Sequence, residues 1–261
     1  MQPEDIAGDL AVVLVALAQS ERLVVGCDFD GTLAPIVADP AAARALPGGL
    51  SALSALAGLP GTEVALISGR SREDLIALAG TPDGVLLIGS HGGEWGSEFG
   101  DAITDEESEL LRRAIDEVTA IVAGEPGALI ETKPGSVAVH VRQASRDAAA
   151  RILAAVEEGP ASWDGVATIA GKEVLELSVV HATKGVAIAT LQQRFDASAT
   201  AYLGDDTTDE TVFAMLGEQD AGFKVGPGET AARYRLPGPP DVVDFLAALA
   251  GQRRSATAGR G

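Results

Sequence analysis

The chain has 261 residues, 46% of them hydrophobic and 22% charged, which is the composition of a globular protein of one large or two modest domains. Its 19 basic residues against 38 acidic ones leave a net charge of −19, which repels phosphate backbones and anionic lipid and argues against nucleic-acid and membrane-surface roles. A single cysteine, Cys27, excludes an internal disulfide.

The run from residue 10 to 18 is apolar and ends in Ala16-Leu17-Ala18, yet Glu4, Asp5 and Asp9 precede it with no Lys or Arg. That is the wrong charge for a secretory leader, and the run is too short to span a bilayer. It is read as the first helix of a cytoplasmic protein. Residues 23–27 form a short, almost wholly apolar run, the pattern of a strand buried on both faces of a parallel sheet. Asp28 and Asp30 follow at once; strand side chains alternate faces, so both acids are expected to lean into one pocket at the carboxyl end of the strand. Gly31 lets the backbone turn there.

A helix is predicted over 47–59, a second buried strand over 63–67, a helix over 71–79 and a strand over 85–88. This is β-α-β-α-β, the grammar of a doubly wound, Rossmann-like parallel sheet. The grammar then changes. An amphipathic helix over 105–123, strands over 128–132 and 136–142 joined by Lys133-Pro134-Gly135, a helix over 145–158 and strands over 166–170 and 173–179 make an αββαββ block. The first grammar returns with a helix over 184–195 and a strand over 200–203. An acidic turn over 204–210 leads into a helix ending near Leu216, then a strand over 221–225 and a closing helix over 241–250. The tail from Gly251 is expected to be disordered. The fold class is therefore α/β: a core of residues 1–100 and 181–261 with a smaller α+β cap inserted at 101–180.

Four polar clusters sit where predicted core strands end or core helices begin. An isolated Asp-x-Asp caps a turn; behind a buried strand and ahead of Gly31-Thr32-Leu33, Asp28 and Asp30 read as functional. Ser68-Gly69 is an ordinary helix N-cap or, with the free helix N–H groups, a phosphate cradle. Lys184 follows the N-cap Thr183, so its charge opposes the helix macrodipole at a cost of about 0.3–1 kcal/mol. A lysine aimed at an anion accounts for that placement. In Gly204-Asp205-Asp206-Thr207-Thr208-Asp209-Glu210, capping explains one or two of the acids, and a hard oxygen site for Mg²⁺ explains the surplus.

Together the clusters Asp28-Phe29-Asp30-Gly31-Thr32, Ser68, Lys184 and Asp205-Asp206 with Asp209 resemble the four motifs of the haloacid dehalogenase superfamily of phosphatases, in order and in spacing. The resemblance implies that Asp28 attacks phosphorus to form an aspartyl phosphate, and that Asp30 protonates the leaving oxygen and then activates water. It also implies that Lys184 and Ser68 bind phosphoryl oxygens, and that Mg²⁺ is held by Asp28, the Asp30 carbonyl and Asp205 with Asp206 and Asp209 behind.

Within the insert, Glu131, Lys133, Ser136, His140, Lys172 and Glu176 stand out on otherwise apolar strands. A solvated sheet face is the bland reading of such a pattern; sugar hydroxyls, which need paired acceptors and donors, are the functional one. With Ile67-Ser68-Gly69-Arg70, His91-Gly92 and Glu94, and the stretch 225–236, these residues resemble the trehalose-6-phosphate phosphatases over nearly the whole chain. That likeness implies that Glu131, Lys133, His140 and Glu176 hold the distal glucose and that Gly69 and Arg70 meet the substrate near the core. Phe29 and His181 depart from the family pattern without touching a catalytic atom. No synthase-like domain is visible, so a stand-alone, monomeric phosphatase of a small sugar phosphate is expected. Relatives acting on sucrose phosphate, mannosyl-phosphoglycerate or glucosylglycerol phosphate share the core chemistry and differ in the cap. A non-catalytic phosphosugar sensor would have lost Asp28, Asp30, Lys184 or Asp205, and all four are present.

Overall fold

Apolar runs at five places in the chain become strands of one parallel sheet. A computed structural model describes residues 3–96, 105–133, 135–171, 173–179 and 182–258. In chain order the elements are α1 (Pro3–Gln19), β1 (Leu23–Asp28), α2 (Gly49–Ala57), β2 (Thr62–Ile67), α3 (Arg72–Ala79), β3 (Val85–Ile88), α4 (Asp105–Val122), β4 (Leu129–Lys133), β5 (Ser136–His140) and α5 (Arg146–Glu158). They continue with β6 (Ala167–Gly171), β7 (Val174–Ser178), α6 (Lys184–Phe195), β8 (Ala199–Gly204), α7 (Glu210–Phe213), β9 (Ala221–Val225), β10 (Tyr234–Leu236) and α8 (Pro239–Ala258). The chain divides into two compact units, residues 1–96 with 182–261 and residues 97–181.

The larger unit holds a six-stranded sheet in the order β10-β9-β8-β1-β2-β3, parallel at every pairing. From β1 the chain moves outward through β2 and β3, and after the inserted segment it resumes on the other side at β8. This reversal at β1 opens a crevice at the carboxyl ends of β1 and β8, where doubly wound sheets bind ligands. All six residues of β1 and all six of β8 are buried, as a strand covered on both faces requires. Leu23, Val25, Leu53, Leu66, Leu203, Phe223 and Leu246 share one contiguous core.

The smaller unit is a four-stranded antiparallel sheet, β4-β5-β7-β6, with α4 and α5 packed on one face. Val137, Val139, Leu175 and Leu177 point into that core with Leu111, Val118 and Ile152. The opposite face carries Glu131, Lys133, Ser136, His140 and Glu176, with Leu129 and Ile169 more than half exposed.

Two expectations are corrected. Residues 251–258 are not a disordered tail but the last two turns of α8, anchored by the fully buried Arg253. The helix after the acidic turn stops at Phe213 rather than near Leu216, because α7 is a single turn. The strand β10 was not foreseen: three residues with no apolar period give no signal, and their partner β9 supplies the order. Gly100 and Val180, at the expected ends of the insertion, as well as Pro134, Lys172 and His181, lie outside the described residues. Among the described residues, no helix is long and apolar enough to cross a membrane.

Candidate active site

The carboxyl end of β1 delivers Asp28 in a nearly closed setting, 4% exposed. Lys184, in the first turn of α6 behind the N-cap Thr183, is 3% exposed and reaches it: Nζ donates to Asp28 Oδ1 at 2.6 Å and to Asp209 Oδ1 at 2.8 Å. Asp209 is fully buried and also accepts from Tyr202 Oη at 2.7 Å and from the Asp206 amide at 2.9 Å. Two hydrogen bonds from Lys184 and two onto Asp209 thus lock the pair in place. Asp205 completes the acidic group, since carboxylate oxygens of Asp28, Asp205 and Asp209 lie within 4.8 Å of one another. Thr32 Oγ1 donates to Asp205 Oδ1 at 3.3 Å, and Lys224 Nζ holds the Asp205 carbonyl.

Gly31 is what permits this approach. Its φ is +82°, and a Cβ there would lie 2.0 Å from Asp205 Oδ2. A side chain at that position would drive the acids of β1 and β8 apart.

Burial and neighbouring charges shift the ionisation of these groups. Burial raises the Asp28 carboxyl well above its usual range; Lys184 pulls it back and Asp209 pushes it up further. Asp205 is raised by burial and by Asp209. Burial alone would lower the Lys184 ammonium, but attraction to Asp28 and Asp209 outweighs it and the net shift is upward. Three carboxyl groups crowd one ammonium, so acidic groups outnumber the cation paired with them. The donor set of crowded carboxylate oxygens fits a hard divalent cation. Cys27 has its thiol pushed up by burial and by Asp28, and is inert packing.

Asp30 shares the cavity but not the lysine. Both its oxygens accept from Arg70, Oδ2 from Nε at 2.6 Å and Oδ1 from a terminal nitrogen at 2.7 Å. That bidentate pair raises the Arg70 guanidinium. Ser68 is 1% exposed and lines the cavity, and its Oγ accepts from the Arg70 amide at 3.1 Å. The cavity has a volume of about 610 Å³, and Asp28, Asp30, Ser68, Gly69, Arg70, Lys184, Asp205 and Asp206 all line it. Asp206 is exposed and its Oδ1 accepts from the Thr207 amide at 2.6 Å, so it caps its own turn.

On the open face of the smaller unit, Glu176 accepts from Lys133 Nζ at 3.0 Å and from Ser136 Oγ at 2.5 Å. His140 Nε2 lies 2.9 Å from Glu131 Oε2. The register explains the grouping, because Glu131, Ala138 and Glu176 stand side by side across β4, β5 and β7. Glu131 and His140 also line a second cavity of about 450 Å³ with Leu129 and Arg142. Glu131, Lys133, His140 and Glu176 therefore fall into two polar pairs.

Two residues of the core site were missed. Tyr202 and Lys224 each interrupt a buried apolar strand, and a hydroxyl or ammonium in such a run must find a partner; that mismatch was the available signal. His91, read in the sequence only as part of the family pattern and given no role there, also lines the cavity.

A parallel sheet whose middle strand ends in a carboxylate–lysine centre, interrupted by an antiparallel α+β unit, defines the class of doubly wound α/β proteins with an inserted unit. The trehalose-phosphatase family model matches residues 27–239, and the chain belongs to that family of phosphatases. Trehalose-phosphate phosphatases of Mycobacterium tuberculosis and Mycobacterium bovis are 35% identical over 263 residues, covering 93% of this chain. The chain spans 66% of the length of those relatives. Among solved structures, trehalose-6-phosphate phosphatase of Aspergillus fumigatus superposes with a TM-score of 0.68 at 26% identity, covering 93% of this chain and 97% of that one. The C-terminal domain of the Candida albicans enzyme superposes at 0.63 with 25% identity, over 93% and 97% of the two chains.

Proposed function

We propose that this protein hydrolyses trehalose 6-phosphate to trehalose and phosphate, with Asp28 as the nucleophile and a divalent cation, Mg²⁺, as cofactor. The observation that carries the chemistry is the Lys184 ammonium held between Asp28 and Asp209 at the floor of the cavity. Pairing with Lys184 keeps one Asp28 oxygen fixed, so the other is presented to an incoming phosphorus. The bond from that oxygen to phosphorus forms as the bond to the sugar oxygen breaks, leaving an aspartyl phosphate and the sugar alkoxide.

Asp30 gives the departing oxygen its proton and then takes one from the water that cleaves the aspartyl phosphate. With both oxygens accepting from Arg70, Asp30 is set as an acceptor. Donation requires it to part from Arg70, and an entering phosphate dianion is the competing anion that draws the guanidinium away. Ser68 and Lys184 hydrogen-bond the phosphoryl oxygens. Asp28, Asp205 and the Asp30 carbonyl would hold the cation, with Asp209 behind it. Its chemistry is to offset repulsion between a dianionic substrate and the acidic site. The disaccharide assignment rests on the family and on the paired carboxylate, lysine and histidine groups of the smaller unit, which match the alternating donors and acceptors of sugar hydroxyls.

The test is phosphate release from trehalose 6-phosphate, sucrose 6-phosphate, glucose 6-phosphate and p-nitrophenyl phosphate, with Mg²⁺ and with EDTA. Trehalose 6-phosphate is expected to exceed glucose 6-phosphate by roughly tenfold or more in kcat/KM. Equal rates on the two would overturn the disaccharide assignment, and full turnover in EDTA would overturn the metal requirement.

A further inference from the structure

One residue lining the catalytic cavity has no part in this chemistry. Between β3 and α4, Ser90 and His91 both sit in the left-handed region, with φ of +48° and +56°. Such a conformation costs a non-glycine residue on the order of 1 kcal/mol or more. Glycines occupy positions 89, 92 and 93 on either side, yet position 91 carries an imidazole.

The loop is over-determined by hydrogen bonds that enforce this geometry. Glu94 accepts from Ser90 Oγ and from the Arg72 amide, the latter at 2.8 Å. The Ser90 amide donates to the Arg70 carbonyl at 2.7 Å and the His91 amide to the Ser68 carbonyl at 2.9 Å. Trp95 Nε1 closes the turn on the Gly92 carbonyl at 2.7 Å. Two of these bonds end on Ser68 and Arg70, the residues that flank Gly69.

The imidazole itself lies on Gly69. A Cβ at that position would meet His91 Cε1 at 2.4 Å and Nε2 at 2.7 Å. The ring therefore occupies the space that any side chain at position 69 would need, and it borders the same cavity as Asp28, Ser68 and Lys184. A strained residue maintained by five surrounding bonds, with its side chain seated against the phosphate cradle, is the signature of a preorganised site.

We infer that His91 is a positioning residue of the phosphoryl pocket: seated on Gly69, its imidazole holds the Ser68–Arg70 segment beside Asp28 and sets the affinity of the site for a phosphate dianion. This rests on the phosphatase reading above.

A structural role and a positioning role predict opposite relations between stability and function. Glycine adopts the left-handed conformation without penalty, so His91→Gly is expected to keep the melting temperature within about 2 °C of the parent chain. The same change is expected to weaken binding of inorganic phosphate, measured by calorimetry, about tenfold and to lower kcat/KM by about tenfold or more. His91→Asn, which also tolerates the left-handed region, is expected to follow the same pattern and serves if the glycine variant misfolds. Gly69→Ala drives a methyl into the ring and is expected to lose about as much phosphate affinity alone, but to add less than about threefold in the His91→Gly background.

Parent-like phosphate affinity in both His91 variants would overturn the inference, as would a fall in melting temperature that parallels the loss with additive Gly69→Ala. Calorimetry with phosphate requires no turnover. If the parent chain hydrolyses no phosphate ester, the phosphatase reading fails. The His91 inference is still decided by whether phosphate binding drops in the variants, and it fails if the parent chain binds none.

Discussion

A lysine in the first turn of a helix faces the unfavourable end of the macrodipole, and Lys184 is kept there by two buried carboxylates at 2.6 and 2.8 Å. Its position was legible because the helix start was legible; its partners were not, since Asp28 and Asp209 are 156 and 25 residues away. Asp28→Asn keeps the size of the side chain and removes the nucleophile. Turnover of every phosphate ester, aryl phosphates included, is expected to fall by about 10³-fold or more in initial-rate assays. Retained aryl phosphatase activity would refute nucleophilic attack by Asp28.

The raised carboxyls of Asp28 and Asp205 also make a prediction. Above their ordinary value of 3.8 and up to their raised values, the folded chain holds protons that the unfolded chain has released. Stability of the metal-free protein is therefore fully favoured below that window and falls as pH rises through it. A divalent cation takes the place of those protons. The rise in melting temperature on adding Mg²⁺ is expected to be larger near about pH 8 than near about pH 5, in thermal-shift measurements. A larger rise at the acidic end would contradict a carboxylate site.

At the scale of elements, α8 shows how an apolar stripe can end in a charge. Val242, Phe245, Leu246, Leu249 and Ala250 follow helical spacing, and Arg253 continues the same buried face. Read by hydropathy, an arginine on the stripe ends the helix. In the fold its guanidinium donates to Thr62 Oγ1 at 2.6 Å, to the Ser20 carbonyl at 3.0 Å and to the Gly61 carbonyl. It also reaches the Leu17 and Ala18 carbonyls at 3.4 and 3.3 Å, and so caps the carboxyl end of α1 with a positive charge. The planar fork suits several carbonyls at once. Arg253→Met is expected to destabilise the protein by about 3 kcal/mol in urea unfolding, because buried acceptors are left without a donor. A loss under about 0.5 kcal/mol would show that solvent replaces those bonds.

The strands of the parallel sheet were legible as continuous apolar runs because both their faces are covered. The strands of the antiparallel sheet were legible by alternation, since Val137 and Val139 are fully buried while His140 stands on the other face. Element ends were less so. Gly48, at φ +88°, starts α2 later than the apolar spacing suggests. The helix after the acidic turn ends at Phe213, short of the expected end near Leu216.

At the scale of the whole molecule, a chain of net charge −19 binds a dianion only where cations are concentrated, and Arg70 and Lys184 meet at one cavity in the larger unit. The smaller unit carries a separate polar face. In the proposed division of labour, the first does chemistry and the second selects the sugar. Glu131→Ala, which removes the partner of His140, is expected to lower kcat/KM on trehalose 6-phosphate by about 10²-fold and to leave p-nitrophenyl phosphate within about threefold. Equal loss on both substrates would refute a role confined to recognition.

The linear order of residues by itself determined the two grammars, the insertion between them, and the acids, serine and lysine gathered at the carboxyl edge of the sheet. These follow from local period and from the rule that open parallel sheets bind ligands at the carboxyl ends of their strands. Only the tertiary structure decided which acid meets which cation: Asp28 with Lys184, Asp30 with Arg70, Asp209 with Tyr202. It also decided that Arg253 is interior and that His91 sits on Gly69. Pairings of this kind join residues far apart in the chain, and their energies depend on burial that no local pattern contains.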